Sequence, residues 1–122
     1  MNAQACTIAI IDDDHRVLES LANLLSSFGY NTQTYKSAKE FLKSGTLSRT
    51  GCIITDVEMR QMSGFDLLQY LKSSNCAIPV IIITGKPSER SEAFYLEHGA
   101  VGFFRKPVEG EVLVELIDSV CF

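Results

Sequence analysis

The chain has 122 residues, of which 46% are hydrophobic and 21% charged, and this composition predicts a single globular domain over residues 1–122 with a core of its own. The formal net charge is −4, and the basic residues are scattered except for the pair Arg105–Lys106, so we expect no direct binding of nucleic acid. No apolar run approaches the roughly 20 residues that span a bilayer, and the N-terminus lacks the pattern of a signal peptide. We therefore expect a cytoplasmic protein that does not contact a membrane.

The four cysteines show no pattern of metal binding or pairing. Cys6, Cys52, Cys76 and Cys121 form no CxxC motif, and no histidine stands at a metal-ligand spacing from them. Three of them lie in or beside apolar runs, where a free cysteine behaves as a small hydrophobic residue. We expect neither a structural zinc site nor a disulfide framework.

In the first half of the chain, each of two predicted strands leads to a helix. Thr7–Ile11 is a short apolar, β-branched run that predicts the first strand. Apolar residues at helical spacing follow, namely Val17, Leu18, Leu21, Leu24, Leu25 and Phe28. Gly29 then stands where a left-handed helix stop is needed. The more polar Asn31–Tyr35 predicts a second strand, after which Ser37 caps a short helix that closes near Gly45.

The second half continues the alternation with three more strands. Gly51–Thr55 and Ile78–Thr84 are apolar on both faces, and Val101–Phe104 predicts the last strand. A helix through Leu67, Leu68 and Leu71 follows the third strand. Residues 88–98 predict a fourth helix that begins at Ser88, ends at His98 and is stopped by Gly99. The final helix is expected to place five apolar residues on one face, namely Val112, Leu113, Leu116, Ile117 and Val120.

Five strands that alternate with five helices predict an α/β fold. Strands that are apolar on both faces have to be covered by helices on both sides, which favours a parallel sheet. Right-handed crossover connections leave few topologies, and the polar strand Asn31–Tyr35 belongs at an edge of the sheet.

Charged or polar residues follow or end four of the predicted strands. Asp12–Asp14 follows the first strand, Asp56 follows the third, Thr84 ends the fourth and Lys106 follows the fifth. Because the carboxyl ends of parallel strands open on one edge of the sheet, carboxylates, a hydroxyl and an ammonium group are expected in one cleft. Each residue also has a structural interpretation, such as helix capping for one of the aspartates, but a cap needs only one of the three.

Carboxylates clustered in this way suit a hard divalent cation, and Mg²⁺ is the expected cofactor. A carboxylate in such a cleft can also act as a nucleophile and form an aspartyl phosphate. Lys106 and Thr84 would then stabilise the oxygens of the phosphoryl group. Gly85, next to Thr84, is too small to block an incoming phosphoryl group.

The order and spacing of these motifs resemble the receiver domain of two-component response regulators over essentially the whole chain. The matching segments are Asp12-Asp13, Ile53–Asp56, Met59-x-x-Met62-Ser63-Gly64, Thr84-Gly85, Gly99-Ala100 and Lys106-Pro107, with Phe103 at the position of the switch aromatic. The resemblance implies a flavodoxin-like, doubly wound parallel sheet of five strands in the order 2-1-3-4-5, with five helices.

The resemblance also implies a role for each site residue. Asp56 would be the phosphoacceptor, with a sensor histidine kinase as the donor, and Thr84 and Lys106 would act on the phosphoryl group. Mg²⁺ would be held by Asp12, Asp13, Asp56 and the backbone carbonyl of Glu58. The protein would be a signalling receiver that catalyses only its own phosphoryl transfer and dephosphorylation.

The same resemblance predicts a switch and a control of the lifetime of the phosphorylated state. Thr84 and Phe103 would pass the change to the surface of the fourth helix, fifth strand and fifth helix, where an output domain, an effector protein or a second copy would bind. Glu58 and Lys86 would flank the path of the hydrolytic water and could meet over the phosphoryl group, or be independent solvated side chains. Arg60 departs from the family, which usually has proline there, and the loop loses a rigid element.

Three other interpretations stay open. A phosphatase with an aspartyl nucleophile would share the site, but such enzymes place a second Asp two residues after the nucleophile, where this chain has Glu58. A flavin-binding module would need a phosphate cradle after the first strand, where three aspartates would repel a phosphate. The chain could also be a receiver that only binds proteins. The kinase, the input signal and the output are not specified, and a stand-alone receiver and the front piece of a transcription regulator both fit.

Overall fold

Five strands form one parallel sheet in the order β2-β1-β3-β4-β5 in the computed structural model, which describes residues 6–85 and 90–121. The strands are β1 (Thr7–Ile11), β2 (Asn31–Tyr35), β3 (Cys52–Asp56), β4 (Val80–Thr84) and β5 (Gly102–Arg105). The described residues also contain five α-helices, α1 (His15–Ser27), α2 (Ala38–Lys43), α3 (Gly64–Ser73), α4 (Glu92–Glu97) and α5 (Gly110–Val120), and a short 3₁₀ helix at Leu47–Arg49. The predicted fold class and strand order are confirmed.

The sheet separates two hydrophobic cores, because successive side chains of a strand point to opposite faces. On one face, which we call the α1–α5 face, Ile10 and Ile54 pack with leucines of α1 and α5. On the other, the α2–α4 face, Ile53 and Ile82 pack with residues of α2, α3 and α4. The outer strand β2 is more polar, as predicted. The central strands are therefore covered on both sides, and the polar residues at their carboxyl ends are left to form a cleft.

Several element boundaries differ from the predicted ones for identifiable reasons. Strand β4 begins at Val80 rather than Ile78, since Pro79 has no N–H to donate, although its carbonyl accepts a 2.9 Å hydrogen bond from Ile53. Helix α4 begins at Glu92, because the Ser91 side chain accepts a 3.2 Å hydrogen bond from the Phe94 N–H and caps the helix there. The predicted start of this helix, residue 88, lies outside the described residues.

Two apolar residues that we predicted on the buried faces of helices are exposed. Phe28 follows the last residue of α1 and is 48% exposed, because the chain has already turned towards Gly29 with φ of 92°. Val112 in α5 is also 48% exposed, whereas Val114 is buried beside Leu113. The other four residues of the predicted α5 stripe, Leu113, Leu116, Ile117 and Val120, do pack in the core, so only the assignment of Val112 was wrong.

The expectation that all four cysteines are unpaired was wrong, because Cys6 and Cys121 are joined by a disulfide across 115 positions. Helix α5 runs back across the sheet and ends beside the first residues of β1, which places the two Cα atoms 6.0 Å apart. Cys52 and Cys76 are free thiols. Among the described residues, no helix has both the length and the apolar character needed to cross a membrane.

Candidate functional site: an acidic cleft at the carboxyl edge of the sheet

The side-chain alternation of the strands brings three distant residues to the same face of the sheet. Ile10 and Ile54 point to the α1–α5 face, so Asp12 and Asp56, each two positions further on, continue on that face. Phe104 packs on the same face at the end of β5, and Lys106 follows it at the same spacing. Asp12, Asp56 and Lys106 therefore converge in the way that the sequence predicted.

Lys106 connects the two buried carboxylates of the cleft. Its Nζ lies 2.9 Å from Oδ2 of Asp12 and 3.5 Å from Oδ2 of Asp56. The Asp12 side chain is only 4% exposed, that of Asp56 12% and that of Lys106 24%. The backbone N–H of Lys106 donates a 2.9 Å hydrogen bond to the carbonyl of Thr84, which fixes the start of the lysine stem beside β4. One ammonium group therefore compensates two carboxylates at the base of the cleft.

The three consecutive aspartates have three different environments. Asp12 is buried, and its second oxygen, Oδ1, accepts a 2.8 Å hydrogen bond from the N–H of Asp14. Asp14 caps α1 by accepting a 2.9 Å hydrogen bond from the N–H of Arg16, so the capping interpretation is correct for this residue. Asp13 is exposed at the rim of the cleft. Only Asp12 and Asp13 remain available to bind a ligand.

The donor atoms of the cleft fit a hard cation. One carboxylate oxygen each from Asp12, Asp13 and Asp56 lies within 4.8 Å of the others. These are oxygen donors at one side of a cleft of about 370 Å³ that Glu58 and Thr84 also line. Mg²⁺ prefers oxygen ligands of this kind and keeps several waters, for which such a cleft has room. The residues present therefore match the predicted magnesium site.

The charges in the cleft shift two pKa values. Burial, and then the negative charge of Asp12, raise the pKa of Asp56, and the charge of Lys106 only partly opposes them. For Lys106, burial alone would lower the pKa. The hydrogen bond to Asp12 and the charges of Asp56 and Asp12 outweigh burial, so the pKa of Lys106 is raised. Lys106 is therefore protonated at neutral pH. The ionised form of Asp56 is destabilised by burial and by the negative charge of Asp12.

The loop that follows Asp56 is fixed by contacts that the sequence did not reveal. The Thr55 hydroxyl donates to the carbonyl of Asp56 at 3.0 Å and approaches the sulfur of Met59 at 3.8 Å. Gly64, the first residue of α3, donates a 2.9 Å hydrogen bond to the carbonyl of Val57. A Cβ at position 64 would overlap the carbonyl oxygen of Asp56, so the helix reaches the acceptor strand only because residue 64 is glycine. The motif containing Gly64 was recognised, but the reason for the glycine was not.

The predicted switch residues lie on the α2–α4 face of the sheet. Thr84 is 2% exposed at the end of β4. Phe103 is half-buried and stacks on Tyr95 of α4, with ring centroids 5.6 Å apart and an interplanar angle of 22°. The guanidinium of Arg105 lies 5.7 Å from the Phe103 ring on β5. Phe103 is therefore in contact with α4, the helix that a switch would have to move.

The loop that follows β3 carries two further residues that the sequence singled out, Glu58 and Arg60. Glu58 is exposed and lines the cleft, whereas Lys86 lies outside the described residues. Arg60, in place of the usual proline, is exposed, and the next residue, Gln61, has a positive φ of 67°. The departure at position 60 therefore leaves the carboxylate cluster and its lysine intact.

Comparisons with known proteins agree with this geometry. The family profile described as "Response regulator receiver domain" matches residues 8–118. The response regulator protein TodT of Pseudomonas putida strain F1 is 39% identical over 117 residues, which cover 96% of this chain and 52% of TodT. The transcriptional regulatory protein FixJ of Rhizobium meliloti strain 1021 is 37% identical over 112 residues, which cover 92% of this chain and 55% of FixJ.

Solved structures show the same likeness. The crystal structure of a response regulator receiver domain protein from Clostridium thermocellum superposes with a TM-score of 0.87 at 29% identity, covering 94% of this chain and 93% of that one. This chain spans about half the length of the TodT and FixJ relatives. The family profile, the strand order and the acidic cleft with its lysine lead to one conclusion: the chain belongs to the receiver domain family of two-component response regulators.

Proposed function

We propose that Asp56 accepts a phosphoryl group from a sensor histidine kinase and that the phosphorylated domain controls an output domain or effector protein. The observation that carries this proposal is the position of Lys106, whose ammonium group lies between the carboxylates of Asp12 and Asp56 in an open acidic cleft. A purely structural ion pair would not need a third carboxylate, that of Asp13, at the rim.

The chain's own residues have distinct roles in the proposed transfer. A carboxylate oxygen of Asp56 forms a bond to the phosphorus of the donor phosphohistidine, and the P–N bond breaks. The imidazole nitrogen keeps the electron pair of that bond and is neutralised by a proton. Lys106 compensates the negative charge of the phosphoryl oxygens, and the Thr84 hydroxyl donates a hydrogen bond to one of them. The Asp56 side chain is 12% exposed and lines the open cleft, so a donor can reach its carboxylate.

Asp12, Asp13 and Asp56, with the backbone carbonyl of Glu58, would hold Mg²⁺ in this cleft. When bound, the ion supplies positive charge that reduces the repulsion between the carboxylates and the incoming phosphoryl group. Among the described residues, one ammonium group, that of Lys106, forms ion pairs with both Asp12 and Asp56, which supports a requirement for further positive charge. A small domain that transfers phosphoryl groups only to itself would act in signalling and not as a metabolic enzyme.

The experiment that tests this proposal compares carboxylate variants in an acyl-phosphate reaction. Purified protein is incubated with acetyl phosphate, with Mg²⁺ or with EDTA, and the intact mass is measured. We expect the mass of one phosphoryl group to be added only in the presence of Mg²⁺, and not to Asp56→Asn. Asp118→Asn, at an exposed aspartate of α5, is the matched control and should be labelled normally. Labelling of Asp56→Asn at the wild-type rate would overturn the proposal.

The same measurement separates the proposed function from the phosphatase alternative. A receiver accumulates one phosphoryl group per chain and releases it slowly, whereas a phosphatase would turn over a generic phosphomonoester such as p-nitrophenyl phosphate. Sustained, Asp56-dependent release of p-nitrophenol would favour the enzyme. Absence of turnover together with a single labelling event would favour the receiver.

For the output surface, we propose α4, β5 and α5. Three of the large apolar side chains that are exposed lie on or beside these elements, namely Leu96 at 41%, Val101 at 38% and Val112 at 48%. The contact between Phe103 and Tyr95 would transmit the change at Thr84 to α4. Relatives of this chain include a regulator described as transcriptional, and control of transcription is the output that we propose. A histidine kinase and a transcriptional output would both act on this domain in the cytoplasm, which is the location that we propose.

A dimer of phosphorylated chains would use this surface. Analytical ultracentrifugation of the phosphorylated protein should show a larger dimer fraction than that of the unphosphorylated protein. Val112→Glu should abolish the increase, and Phe28→Glu, an equally exposed residue on the α1 side, should leave it unchanged. Equal effects of the two variants would contradict the proposed surface.

Glu58 and Lys86 are proposed to set the lifetime of the phosphorylated state by hindering the attack of water. A barrier change of about 1.4 kcal/mol alters the hydrolysis rate tenfold, so a weak interaction between them is sufficient. Lys86→Ala should shorten the half-life of the phosphoryl group, and the double variant with Glu58→Ala should be less than additive. Equal decay rates for all four proteins would contradict this role.

A further inference from the structure

The pair Cys6 and Cys121 stands apart from the acidic cleft, at the opposite edge of the sheet. Cys6 immediately precedes β1, and Cys121 immediately follows α5. The eleven residues of α5 span about 16 Å, and a five-residue strand spans about the same distance. The helix therefore crosses the sheet from its carboxyl edge to its amino edge and ends at the first strand.

The surroundings of the two sulfur atoms are adapted to a bonded pair. A Cβ at position 51 would lie 2.8 Å from the Sγ of Cys6 and 2.9 Å from the Sγ of Cys121. Residue 51 is glycine, although its φ does not lie in the left-handed region. Glycine is therefore needed here because a side chain would collide with the two sulfur atoms, and not because of the backbone conformation. The N–H of Gly51 donates a 2.8 Å hydrogen bond to the carbonyl of Thr7, which holds the glycine against this pair.

The other two cysteines differ from this pair. Cys52, next to Gly51, is fully buried, and burial raises the pKa of its thiol to about 12, so it stays protonated and unreactive. Cys76 lies between α3 and β4, packs against the core on the α2–α4 face, unlike the pair, and is partly exposed. Within the pair, Cys6 is 4% exposed and Cys121 is half-buried. Cys121 is therefore the more exposed residue of the pair, and we take it as the first to react with a reagent in solution.

We propose that Cys6 and Cys121 are a reversible oxidation site that fastens the end of α5 to the start of β1. With a small-molecule disulfide such as oxidised glutathione as the oxidant, the Cys121 thiolate attacks one of its sulfurs and releases one glutathione thiolate. Cys6 then loses its proton and attacks the Cys121 sulfur, which releases the second glutathione. Two protein thiols are oxidised and one glutathione disulfide is reduced to two thiols. Excess reduced glutathione reverses both steps.

The closed bridge restrains the last turn of α5 in particular. The N–H of Cys121 donates a 2.8 Å hydrogen bond to the carbonyl of Ile117, and this is the hydrogen bond that closes the turn. A covalent link at Cys121 holds that turn against β1, and opening the link allows the helix end to fray. The bridge also closes a loop of more than a hundred residues, which strongly restricts the unfolded chain.

The test uses the whole chain in buffers with graded ratios of reduced to oxidised glutathione. Free thiols are alkylated, and the intact mass and linked peptides are then measured. We expect a Cys6–Cys121 link that appears and disappears with the ratio, a melting temperature at least about 5 °C higher in the linked form, and slower amide exchange in the last turn of α5. The bridge needs no phosphorylation, so these readouts are independent of Asp56.

Matched variants identify the pair. Cys121→Ser should abolish the effect of oxidation on melting and amide exchange, whereas Cys76→Ser should preserve it. Gly51→Ala should shift formation of the link to more oxidising ratios, because its methyl group would crowd both sulfurs. Free Cys6 and Cys121 at every ratio in the folded protein would overturn the proposal. So would a link to Cys52 instead, or a bridge that no ratio of reduced glutathione opens.

Discussion

Replacing Lys106 by methionine should reveal how strongly the carboxylates of the cleft depend on one ammonium group. Methionine keeps most of the unbranched stem, which passes 3.2 Å from the place where a Cβ of residue 85 would lie, and removes only the charge and its donors. Without the ammonium group, the negative charges of Asp12 and Asp56 lose the ion pairs that compensate them, and the Asp12 side chain is almost fully buried.

The expected loss of stability follows from the distances. At an effective dielectric constant of about 20, the 2.9 Å and 3.5 Å contacts correspond to attractions of roughly 6 and 5 kcal/mol before desolvation is subtracted. Removal of one partner of a buried ion pair costs about 3–5 kcal/mol. Because the Lys106 side chain is 24% exposed and solvent screens part of the interaction, we expect a loss near the lower end, about 3 kcal/mol.

Urea unfolding of the metal-free protein measures this loss, with Lys39→Met, at an exposed lysine of α2, as the control. The control should change the free energy of unfolding by less than about 0.5 kcal/mol. The pKa of Asp56 is already raised, and removal of Lys106 takes away a charge that lowers it. Protonation should therefore relieve the repulsion, and the loss should be smaller near pH 5 than near pH 8. A loss equal to that of the control, or one independent of pH, would refute the reasoning.

Three further outcomes test other parts of the account. Gly64→Ala should destabilise the protein by about 2 kcal/mol in urea, because its methyl group would overlap the acceptor backbone, whereas Gly110→Ala, which meets only the flexible end of Leu24, should cost less than about 1 kcal/mol. Millimolar Mg²⁺ should raise the melting temperature of the wild type. Asp13→Asn should stabilise the metal-free protein and reduce the effect of Mg²⁺ on the melting temperature. A melting temperature that does not change with Mg²⁺, together with a destabilised Asp13→Asn, would contradict the metal site. The pKa of Lys106 is raised above its ordinary value of 10.5, so its ion pairs stabilise the fold fully below pH 10.5. This stabilisation is lost as the pH rises through the raised pKa. The free energies of unfolding of wild type and Lys106→Met should therefore become equal at alkaline pH.

The acidic cleft could be predicted from the sequence because it depends on two general rules. Parallel strands end at one edge of the sheet, and side chains alternate between its faces, so Asp12, Asp56 and Lys106 had to converge once the strands were recognised. Small errors in strand ends did not matter, since Asp56 lies in the cleft whether β3 includes it or stops before it.

The features that could not be predicted depend on exact distances between elements. The edge of the buried face of α5 depends on how the helix lies on the sheet, and this packing leaves Val112 exposed and buries Val114. The pairing of Cys6 with Cys121 requires that α5 match the width of the sheet, which no local pattern encodes. The need for glycine at position 64 likewise arises from the approach of a helix to the backbone of another element.

The identity of the residue that carries the phosphoryl group is the most direct test of the account. After reaction with acetyl phosphate and Mg²⁺, borohydride reduction converts a phosphorylated aspartate to homoserine, which peptide mass spectrometry locates in the chain. We predict homoserine at position 56 alone, and none when EDTA replaces Mg²⁺. Homoserine at position 12 or 13, or at 56 to the same extent without Mg²⁺, would contradict the assignment of Asp56 as a magnesium-dependent acceptor.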